Sequence, residues 1–486
     1  MGSTDVAPFI NGVAVGTASL EKVEVRNPST GRRALLIPTG CERDIDEAVR
    51  SARVAFESGT WSEAPPAVRG AALTRLADRV AAHATELDAL DAEEMGKPVS
   101  ERFCDARAAA ELLRFSASAL DKITGDCYQS DRKSVVFQRW APLGVVGAVV
   151  PWNFPTYVAI QKLAPALAVG NSMVIKPSEL SSRSAIRIAE LAIEAGVPEG
   201  VLNVVPGLGS TAGKALALHA DVDMVTFTGS TTVGKLVLQY AGQSNLKRVA
   251  VECGGKSPQI VFADAGDLDP VADTIARSML TNQSQLCSVG SRLLVQRGIE
   301  YALLEKLVER LERIVPGDAR DPRTTFGPLA SEEQLRRVQT HIRAAQEEGA
   351  GLVAGGGHLL AESGGYFVEP TVFRNVSPSA RLAQEEVFGP VLSVIAFDRE
   401  SDALRIANDT IYGLAAYVWT SDLAAGLRMA KGLRSSVTLY SAQASGEGAG
   451  PVATWEPAKQ SGFGPEGGLA GLQSYMRRQL VEIYHA

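Results

Sequence analysis

Residues 144–151, GVVGAVVP, decide the fold class of this 486-residue chain. They form a short β-branched run that ends at a proline, and residues 172–176, SMVIK, repeat the pattern before Pro177. A helical pattern follows at 182–195. Apolar strands that alternate with helices are typical of βαβ units around a parallel sheet. The sequence therefore predicts an α/β fold.

The same alternation continues along the chain. We predict further strands at 201–205, 223–228, 248–252, 293–296, 391–397, 415–419 and 436–440. We predict further helices at 44–58, 66–94, 101–122, 268–282, 299–314, 331–349 and 401–409. Residues 440–453 are rich in Gly, Ala, Ser and Glu and indicate a loop. The tail at 479–484 alternates like a strand, and we expect it to pair with another sheet edge.

Composition excludes several classes of protein. The net charge of −7 argues against a nucleic-acid surface, and a hydrophobic content of 45% is typical of a globular protein with a large core. The five cysteines are scattered without a CxxC pair, and the five histidines are isolated, so we predict neither disulfides nor a metal site. The N-terminus does not resemble a signal peptide, and the most apolar stretch is too short for a membrane span. We expect a soluble, cytoplasmic protein.

Three short segments offer a thiol, a carboxamide and a carboxylate. They are NQSQLCS around Cys287, PWNFP around Asn153, and the run ECGGKSP that begins at Glu252. Each residue alone has an ordinary structural interpretation, since an isolated cysteine is more often a buried apolar filler than a nucleophile. Together they supply a nucleophile, an oxyanion donor and a general base. The set predicts the formation and hydrolysis of a thioester.

Glycine-rich loops predict a nucleotide site. Residues 229–235, GSTTVGK, follow a strand and open a helix, whose N-terminal N–H groups suit a pyrophosphate. The run nearly matches a P-loop but has Leu236 where a magnesium-binding hydroxyl is needed, so an NTPase is the runner-up. The GLG run at 207–209, with Gly213, is a weaker approximation to a dinucleotide loop. Glu179, just after a strand, could accept hydrogen bonds from a ribose diol and favours NAD, while NADP stays open.

The chain resembles the aldehyde dehydrogenase superfamily over nearly its whole length. The matching motifs, in chain order, are PWNFP at 151–155, KPSE at 176–179, FTGST at 227–231, the E-x-GGKSP run from Glu252, NQSQLCS at 282–288, EEVFGPV at 385–391, NDTIYGLAA at 408–416 and SGFG at 461–464.

The resemblance implies a role for each site residue. Cys287 would be the nucleophile, Asn153 with the Cys287 backbone N–H would form the oxyanion hole, Glu252 would activate water, and Lys162 would take part in a proton relay. The implied cofactor-binding residues are Trp152, Lys176, Ser178, Glu179, Gly209, Phe227, Thr228, Gly229, Ser230, Val233, Glu386 and Phe388. The candidates for the substrate pocket are Phe154, Tyr157, Val158, Gln161, Leu286, Ser288 and Trp455.

The implied reaction is oxidation of an aldehyde to the acid with NAD, through a thiohemiacetal and a thioester on Cys287. A coenzyme-A-acylating enzyme of the same fold is an alternative, although Glu252 argues against it. The implied architecture has a variant Rossmann NAD-binding domain (1–122 and 143–253), an α/β catalytic domain (254–458) and a small β oligomerisation element (123–142 and 459–486). Such proteins are usually homodimers or homotetramers.

Several residues depart from the family pattern. Ser284 replaces a usual glycine and Cys253 a usual leucine. Trp455 would replace a pocket phenylalanine, and Glu456 would bring a charge near the tunnel mouth. The middle of the chain is similar to bacterial aminoaldehyde enzymes, including the γ-glutamyl-aminobutyraldehyde type. We expect an aminated, aromatic or medium-chain aldehyde as substrate.

Overall fold

Two large sheets organise the computed structural model, which describes residues 6–17, 19–441 and 450–485. The first has eight strands, in the spatial order Val13–Ala14, Phe9–Ile10, Leu202–Val204, Ser172–Lys176, Val145–Val149, Met224–Thr228, Arg248–Glu252 and Gly462–Phe463. Its five central strands are parallel and the pairings beyond them are antiparallel. The predicted α/β fold is confirmed.

The order of the five parallel strands determines where a ligand can bind. Numbered along the chain from Val145–Val149, they lie in the order 3-2-1-4-5, which is the doubly wound arrangement of nucleotide-binding folds. The strand order reverses between Val145–Val149 and Met224–Thr228. Ligands bind outside the carboxyl ends of the strands at such a point. The segments that follow these two strands contain Asn153 and Gly229.

The second sheet has seven strands, in the order Gly351–Ala354, Thr371–Arg374, Val391–Phe397, Arg292–Gln296, Pro258–Val261, Ala415–Trp419 and Ser436–Tyr440. All pairings are parallel except the one between the first two strands. Cys287 lies just before one central strand of this sheet, and Gly254 and Gly255 just before another. The chain thus passes from the carboxyl end of the first sheet to the amino end of the second.

The remaining strands form three small sheets. Met476–Tyr484, Ser134–Pro142 and Cys127–Tyr128 form one, Lys22–Arg26 and Arg33–Pro38 another, and Tyr412–Gly413 with Ala458–Lys459 the third. The C-terminal strand pairs antiparallel with Ser134–Pro142 over nine residues. The expectation that the tail pairs with a sheet edge is confirmed, and the strand is longer than predicted.

Helices cover the faces of the sheets. The α-helices are Glu42–Glu57, Pro66–Ala82, Ala84–Met95, Ala106–Ser118, Pro155–Ala168, Arg183–Glu194, Lys214–Leu218, Thr231–Gln243, Leu268–Leu280, Glu300–Leu311, Glu332–Glu347, Arg381–Gln384, Glu400–Asn408, Leu423–Gly432 and Gly468–Ser474. Short 3-10 turns lie at Leu120–Lys122, Thr281–Ser284, Arg297–Ile299, Ala361–Ser363 and Gly450–Val452, and a π-helical turn at Gly209–Gly213.

Some helix predictions were wrong in their bounds. The helix predicted at 66–94 is two helices that meet at His83. The helix predicted at 101–122 begins at Ala106, because the Asp105 side chain accepts a hydrogen bond from the Ala108 N–H and caps the first turn. Pro155–Ala168 was not predicted, since eleven of its fourteen residues are buried and it has no polar face to reveal a helical period.

Alternate residues of the first sheet face two separate cores. Val146 and Ile175 pack into one buried cluster, and Val145 and Val174 pack into another on the opposite face. This is the period of two that a strand imposes on its side chains. A parallel sheet covered on both faces leaves its strand ends as the accessible place for a site.

The domain boundaries stay a prediction. One strand that was assigned to the oligomerisation element, Gly462–Phe463, instead hydrogen-bonds to Arg248–Glu252 in the eight-stranded sheet. Of the loop predicted at 440–453, residues 442–449 lie outside the described residues. Within the described parts of the chain, no helix is long and apolar enough to cross a membrane.

Candidate active site

Cys287 follows a turn with an unusual backbone. Asn282, Gln283 and Ser284 all have positive φ, at 43°, 53° and 57°. This left-handed region is costly for residues other than glycine. The Ser284 hydroxyl donates to the Met279 carbonyl oxygen at 2.6 Å and helps to hold the turn. The turn that precedes Cys287 therefore has a strained backbone, of the kind found at functional sites.

Asn153 is tied to this turn by two hydrogen bonds. Its Nδ2 donates to the carbonyl oxygen of Gln285 at 2.9 Å, and the Asn282 Nδ2 donates to the Asn153 carbonyl oxygen at 2.8 Å. Asn153 is 6% exposed and lies just before the helix Pro155–Ala168. The carboxamide and the cysteine loop are therefore held as one unit.

Glu252 is the last residue of the strand Arg248–Glu252, and its carboxylate reaches the thiol. Cys287 Sγ donates to Glu252 Oε1 at 3.4 Å. The Thr228 hydroxyl donates to Oε2 at 3.4 Å, and Lys162 Nζ lies 3.9 Å from Oε2. The structure thus brings together the four residues Cys287, Asn153, Glu252 and Lys162, although they come from distant parts of the sequence.

Burial controls the protonation of this cluster. Burial, and then the charge of Glu466, raises the pKa of Glu252 to about 7. Burial, and then the charge of Glu252, raises the pKa of Cys287 well above its ordinary value. The resting thiol therefore keeps its proton at neutral pH, and a carboxylate whose affinity for a proton is raised by burial lies within hydrogen-bonding distance of it.

Two glycines, Gly254 and Gly255, allow other residues of the site to approach the backbone closely. A Cβ at Gly255 would lie 2.3 Å from the Cys287 carbonyl oxygen, and a Cβ at Gly254 would lie 2.2 Å from Glu386 Oε2. The Gly255 N–H donates to Glu386 Oε1 at 3.0 Å. Any side chain at these positions would separate Cys287 and Glu386 from the strand end.

A cavity of about 290 Å³ opens on one side of Cys287. All seven residues predicted for the substrate pocket line it: Phe154, Tyr157, Val158, Gln161, Leu286, Ser288 and Trp455. The sequence reasoning missed five further lining residues, Phe103, Cys104, Leu414, Ala415 and Ser436. Phe103 packs edge-on against Phe154, with ring centroids 5.9 Å apart.

The carboxylate of Glu456 contacts the backbone of a neighbouring turn. Glu456 is not among the residues that the structure describes as lining the cavity. Its Oε1 accepts a hydrogen bond from the Gly464 N–H at 2.9 Å, within the chain that returns from the strand Gly462–Phe463. The expectation of a charge near the tunnel mouth stays a prediction.

A second cavity, of about 330 Å³, opens on the other side of Cys287. Seven predicted cofactor residues line it: Trp152, Glu179, Thr228, Gly229, Ser230, Glu386 and Phe388. Ser230 caps the helix Thr231–Gln243 by accepting a hydrogen bond from the Val233 N–H at 3.3 Å. The rings of Trp152 and Phe388 meet edge-on with centroids 5.3 Å apart.

Five predicted cofactor residues are not among those that the structure describes as lining this cavity: Lys176, Ser178, Gly209, Phe227 and Val233. Lys176 Nζ donates to the Gly207 carbonyl oxygen at 3.1 Å, and the Ser178 hydroxyl accepts from the Leu180 N–H at 3.2 Å. Phe227 is buried beneath the loop, where a Cβ at Gly229 would lie 2.6 Å from its ring. Their part in cofactor binding stays a prediction.

Sequence reasoning also missed three residues that hold parts of the site in place: Gln334, Arg337 and Glu466. Gln334 Nε2 donates to the Phe388 carbonyl oxygen at 2.6 Å, and Arg337 Nη2 donates to that of Glu386 at 2.6 Å. Glu466 forms an ion pair with the buried Lys162, 304 residues away in sequence. The available signal for Glu466 was a single carboxylate in the glycine-rich run at 464–468, which is too weak to select it.

The second cavity fits a dinucleotide. A capped helix N-terminus offers N–H groups to phosphate oxygens, and the glycine before it leaves room for close approach. The Glu179 carboxylate stands just beyond a strand of the sheet, as ribose recognition requires. The Glu386 carboxylate accepts from the Gly255 N–H, which lies beside Cys287, and the rings of Trp152 and Phe388 line the same cavity.

Comparisons with known proteins agree with this geometry. The model of the Aldehyde dehydrogenase family matches residues 15–481. The chain is 42% identical over 476 residues to the NADP/NAD-dependent aldehyde dehydrogenase PuuC of Escherichia coli K12, covering 98% of this chain and 95% of that protein. It is 42% identical to aminoacetaldehyde dehydrogenase of Pseudomonas aeruginosa over 90% of this chain and 87% of that one. The solved structure of P. syringae AldA indole-3-acetaldehyde dehydrogenase in complex with NAD⁺ and IAA has a TM-score of 0.95 and 45% identity, covering 98% and 96% of the two chains.

These relatives confirm the class of enzyme that the sequence predicted, and the use of a nicotinamide cofactor. They give no support to the NTPase or to the coenzyme-A-acylating alternative. The chain belongs to the aldehyde dehydrogenase family and is an NAD(P)-dependent aldehyde dehydrogenase.

Proposed function

We propose that this enzyme oxidises aromatic or medium-chain aldehydes to carboxylic acids, with Cys287 as the nucleophile and Glu252 as the general base. The observation that carries the proposal is the 3.4 Å contact between the Cys287 thiol and the Glu252 carboxylate where the two cavities meet. An aldehyde in one cavity and a nicotinamide in the other would both reach the sulfur.

In the first step, the thiol proton passes to Glu252 as sulfur attacks the aldehyde carbon. The carboxylate is in place to accept it, and a thiolate is the reactive form. The carbonyl oxygen becomes an oxyanion beside Asn153. One Nδ2 hydrogen of Asn153 is bound by Gln285, and the amide has a second to donate. Losing such a donor typically costs about 3 kcal/mol of transition-state stabilisation.

NAD, when bound, supplies the hydride acceptor. Glu386 and Phe388 would hold its nicotinamide end, and Trp152, Glu179 and Ser230 its adenosine and pyrophosphate end. The choice between NAD and NADP would depend on Glu179, whose charge opposes a 2′-phosphate.

In the second step, Glu252 removes a proton from water, which attacks the thioester and releases the acid and the thiol. A carboxylate with a pKa of about 7 suits a general base at neutral pH. Glu252 must first release the thiol proton. Lys162 and Glu466 lie next to it and support the predicted role of Lys162 in a proton relay.

The lining of the first cavity favours an aromatic substrate. Phe103, Phe154, Tyr157 and Trp455 contribute four rings, and the one carboxylate among the lining residues that the structure describes is Glu252 itself. An ammonium group buried there would find no carboxylate partner other than Glu252, which the proposed reaction uses as its base. The proposal therefore ranks aromatic and medium-chain aldehydes above aminated ones.

We further propose a cytoplasmic homodimer or homotetramer built on the three-stranded sheet. Its strands expose apolar side chains that a monomer would leave in water: Tyr128, Val135, Leu480, Ile483 and Tyr484. All five cysteines are free thiols, as in proteins of a reducing compartment. Light scattering with size-exclusion chromatography tests the assembly, and a monomer would contradict it.

A panel of aldehydes tests the substrate class. We expect kcat/KM with NAD to be at least about tenfold higher for phenylacetaldehyde and hexanal than for acetaldehyde or 4-aminobutyraldehyde, a difference of about 1.4 kcal/mol. Equal rates across the panel, or a preference for the aminated substrate, would contradict it.

A further inference from the structure

Residues 454–467 bring the wall of the substrate cavity and the buried acid Glu466 together. Trp455, which lines the cavity, exchanges two backbone hydrogen bonds with Glu466, each of 2.9 Å. The Thr454 hydroxyl donates to the Gly467 carbonyl oxygen at 3.1 Å. An isolated antiparallel bridge therefore joins the backbone of Trp455 directly to that of Glu466.

The same chain is also docked against the strand that ends in Glu252. Gly462 pairs with Glu252, and a Cβ at Gly462 would lie 1.9 Å from the Val251 carbonyl oxygen. The Ser461 hydroxyl donates to the Gly254 carbonyl oxygen at 2.7 Å. Between this docked strand and Glu466, the chain turns at Gly464, which has a φ of 105°.

Glu456 closes this turn. Its carboxylate accepts the Gly464 N–H at 2.9 Å, while its neighbour Trp455 holds Glu466. We propose that Glu456 is a positioning residue, which acts by hydrogen-bonding the Gly464 amide and so keeps the Glu466 carboxylate against Lys162 and close to Glu252. The inference rests on the proposed role of Glu252 as the general base.

Displacement of Glu466 has a definite electrostatic consequence. The charge of Glu466 raises the pKa of Glu252, and Lys162 lowers it. If Glu466 moved away, that repulsion would weaken and Lys162 would lose its main partner, so both changes would lower the pKa of Glu252. The other titratable groups facing this cluster are Cys104, Tyr157, Cys253, Cys287 and Tyr475.

Two substitutions separate the hydrogen bond from the charge. Glu456→Ala removes the acceptor of the Gly464 amide, whereas Glu456→Gln keeps an oxygen acceptor and removes the charge. Glu456 is exposed, so both variants should fold. Glu362→Ala, at an exposed glutamate in another turn, is the matched control.

The readout is the pH dependence of kcat at saturating aldehyde and NAD. We expect the acid limb of the native enzyme near pH 7, because the carboxylate form of Glu252 is the active one. In Glu456→Ala the limb should move to lower pH by roughly half a unit, while Glu456→Gln and Glu362→Ala keep the native profile. Amide hydrogen exchange in 462–467 should rise in Glu456→Ala alone. Equal shifts in the alanine and glutamine variants, or no shift in either, would overturn the inference.

A Glu252→Gln variant distinguishes failure of the proposed role of Glu456 from failure of the proposed function. If that variant keeps native turnover and the acid limb, Glu252 is not the titrating base and both proposals fall. If the limb disappears in Glu252→Gln but Glu456→Ala keeps the native profile, the proposed function survives and the role of Glu456 alone is overturned.

Discussion

The two cavities that meet at Cys287 are built in different ways. The cofactor cavity is lined on one side by the segments that follow parallel strands of the first sheet, so the topology of that sheet determines where those groups lie. Its other lining residues come from the start of the helix Glu332–Glu347, from Cys287 and from the segment that carries Glu386 and Phe388. The substrate cavity is lined by side chains from a loop near 103, a helix, the cysteine turn, a strand end and the chain at 455. The first can accept one class of ligand, whereas the second can change shape by loop substitution.

The largest expected effect comes from removing the Cys287 sulfur, which both cavities contact. Cys287→Ser should lower kcat by at least about a thousandfold, because a hydroxyl is a far weaker nucleophile in this setting. NAD affinity, measured by fluorescence titration, should stay within about twofold of the native value. Cys41→Ser, at a cysteine far from the site in sequence, is the control. Turnover within tenfold of native in Cys287→Ser would contradict the assignment.

The next effect concerns the oxyanion. Asn153→Ala should lower kcat by about 10² to 10³, since one preorganised donor is lost, while the KM for NAD changes little. Because Asn153 also binds the cysteine turn, thermal unfolding should be measured in parallel. A change confined to the KM for the aldehyde would assign Asn153 to substrate binding and not to the transition state.

A pair of substitutions tests whether the two cavities act independently. Trp455→Ala should reduce kcat/KM for phenylacetaldehyde about tenfold and leave the KM for NAD unchanged. Glu179→Gln should change cofactor binding and leave the aldehyde unaffected. It should weaken NAD binding and improve NADP binding, so that the ratio of the two affinities changes by about tenfold. Parallel losses for aldehyde and cofactor in both variants would show that the cavities are coupled.

The smallest expected effect is a change in stability at Ser284, in the turn that precedes Cys287. Ser284 has a φ of 57°, where glycine costs least. Ser284→Ala should destabilise the protein by about 1 kcal/mol, through loss of the bond to Met279. Ser284→Gly loses the same bond but relieves the strained φ, so its free energy of unfolding should stay within about 0.5 kcal/mol of native. Urea unfolding measures both, and a glycine variant less stable than the alanine variant would contradict this view of the turn.

The two cavities also differ in how well the sequence predicted them. Runs such as FTGST and EEVFGPV contain both the backbone that shapes the cofactor cavity and the residues that line it, so local motifs were informative. The helix that carries Tyr157 and Lys162 was missed because it is buried on nearly all sides. Phe103 and Glu466 were missed because tertiary contacts alone bring them to the site.

The two glutamates near the C-terminus show the limit of reasoning from sequence position. Glu456 lies next to the pocket residue Trp455, yet its carboxylate is bound to the Gly464 amide. Glu466 lies ten residues further on, yet it reaches the buried Lys162 beside Glu252. An isolated antiparallel bridge between 455 and 466 brings the two segments together, and a pairing of two residues leaves little trace in a sequence.

The most direct test of the account is the mass of Glu252→Gln after incubation with phenylacetaldehyde and NAD. Without its general base, the enzyme should hydrolyse the thioester about 10² to 10⁴ times more slowly. The substitution also removes the acceptor of the thiol proton and slows acylation, so the incubation is long and both substrates are in excess. The acyl group should then accumulate on the peptide that contains Cys287, and Cys287→Ser should show no adduct there. Turnover at the native rate in Glu252→Gln, or acylation of a different residue, would contradict the account.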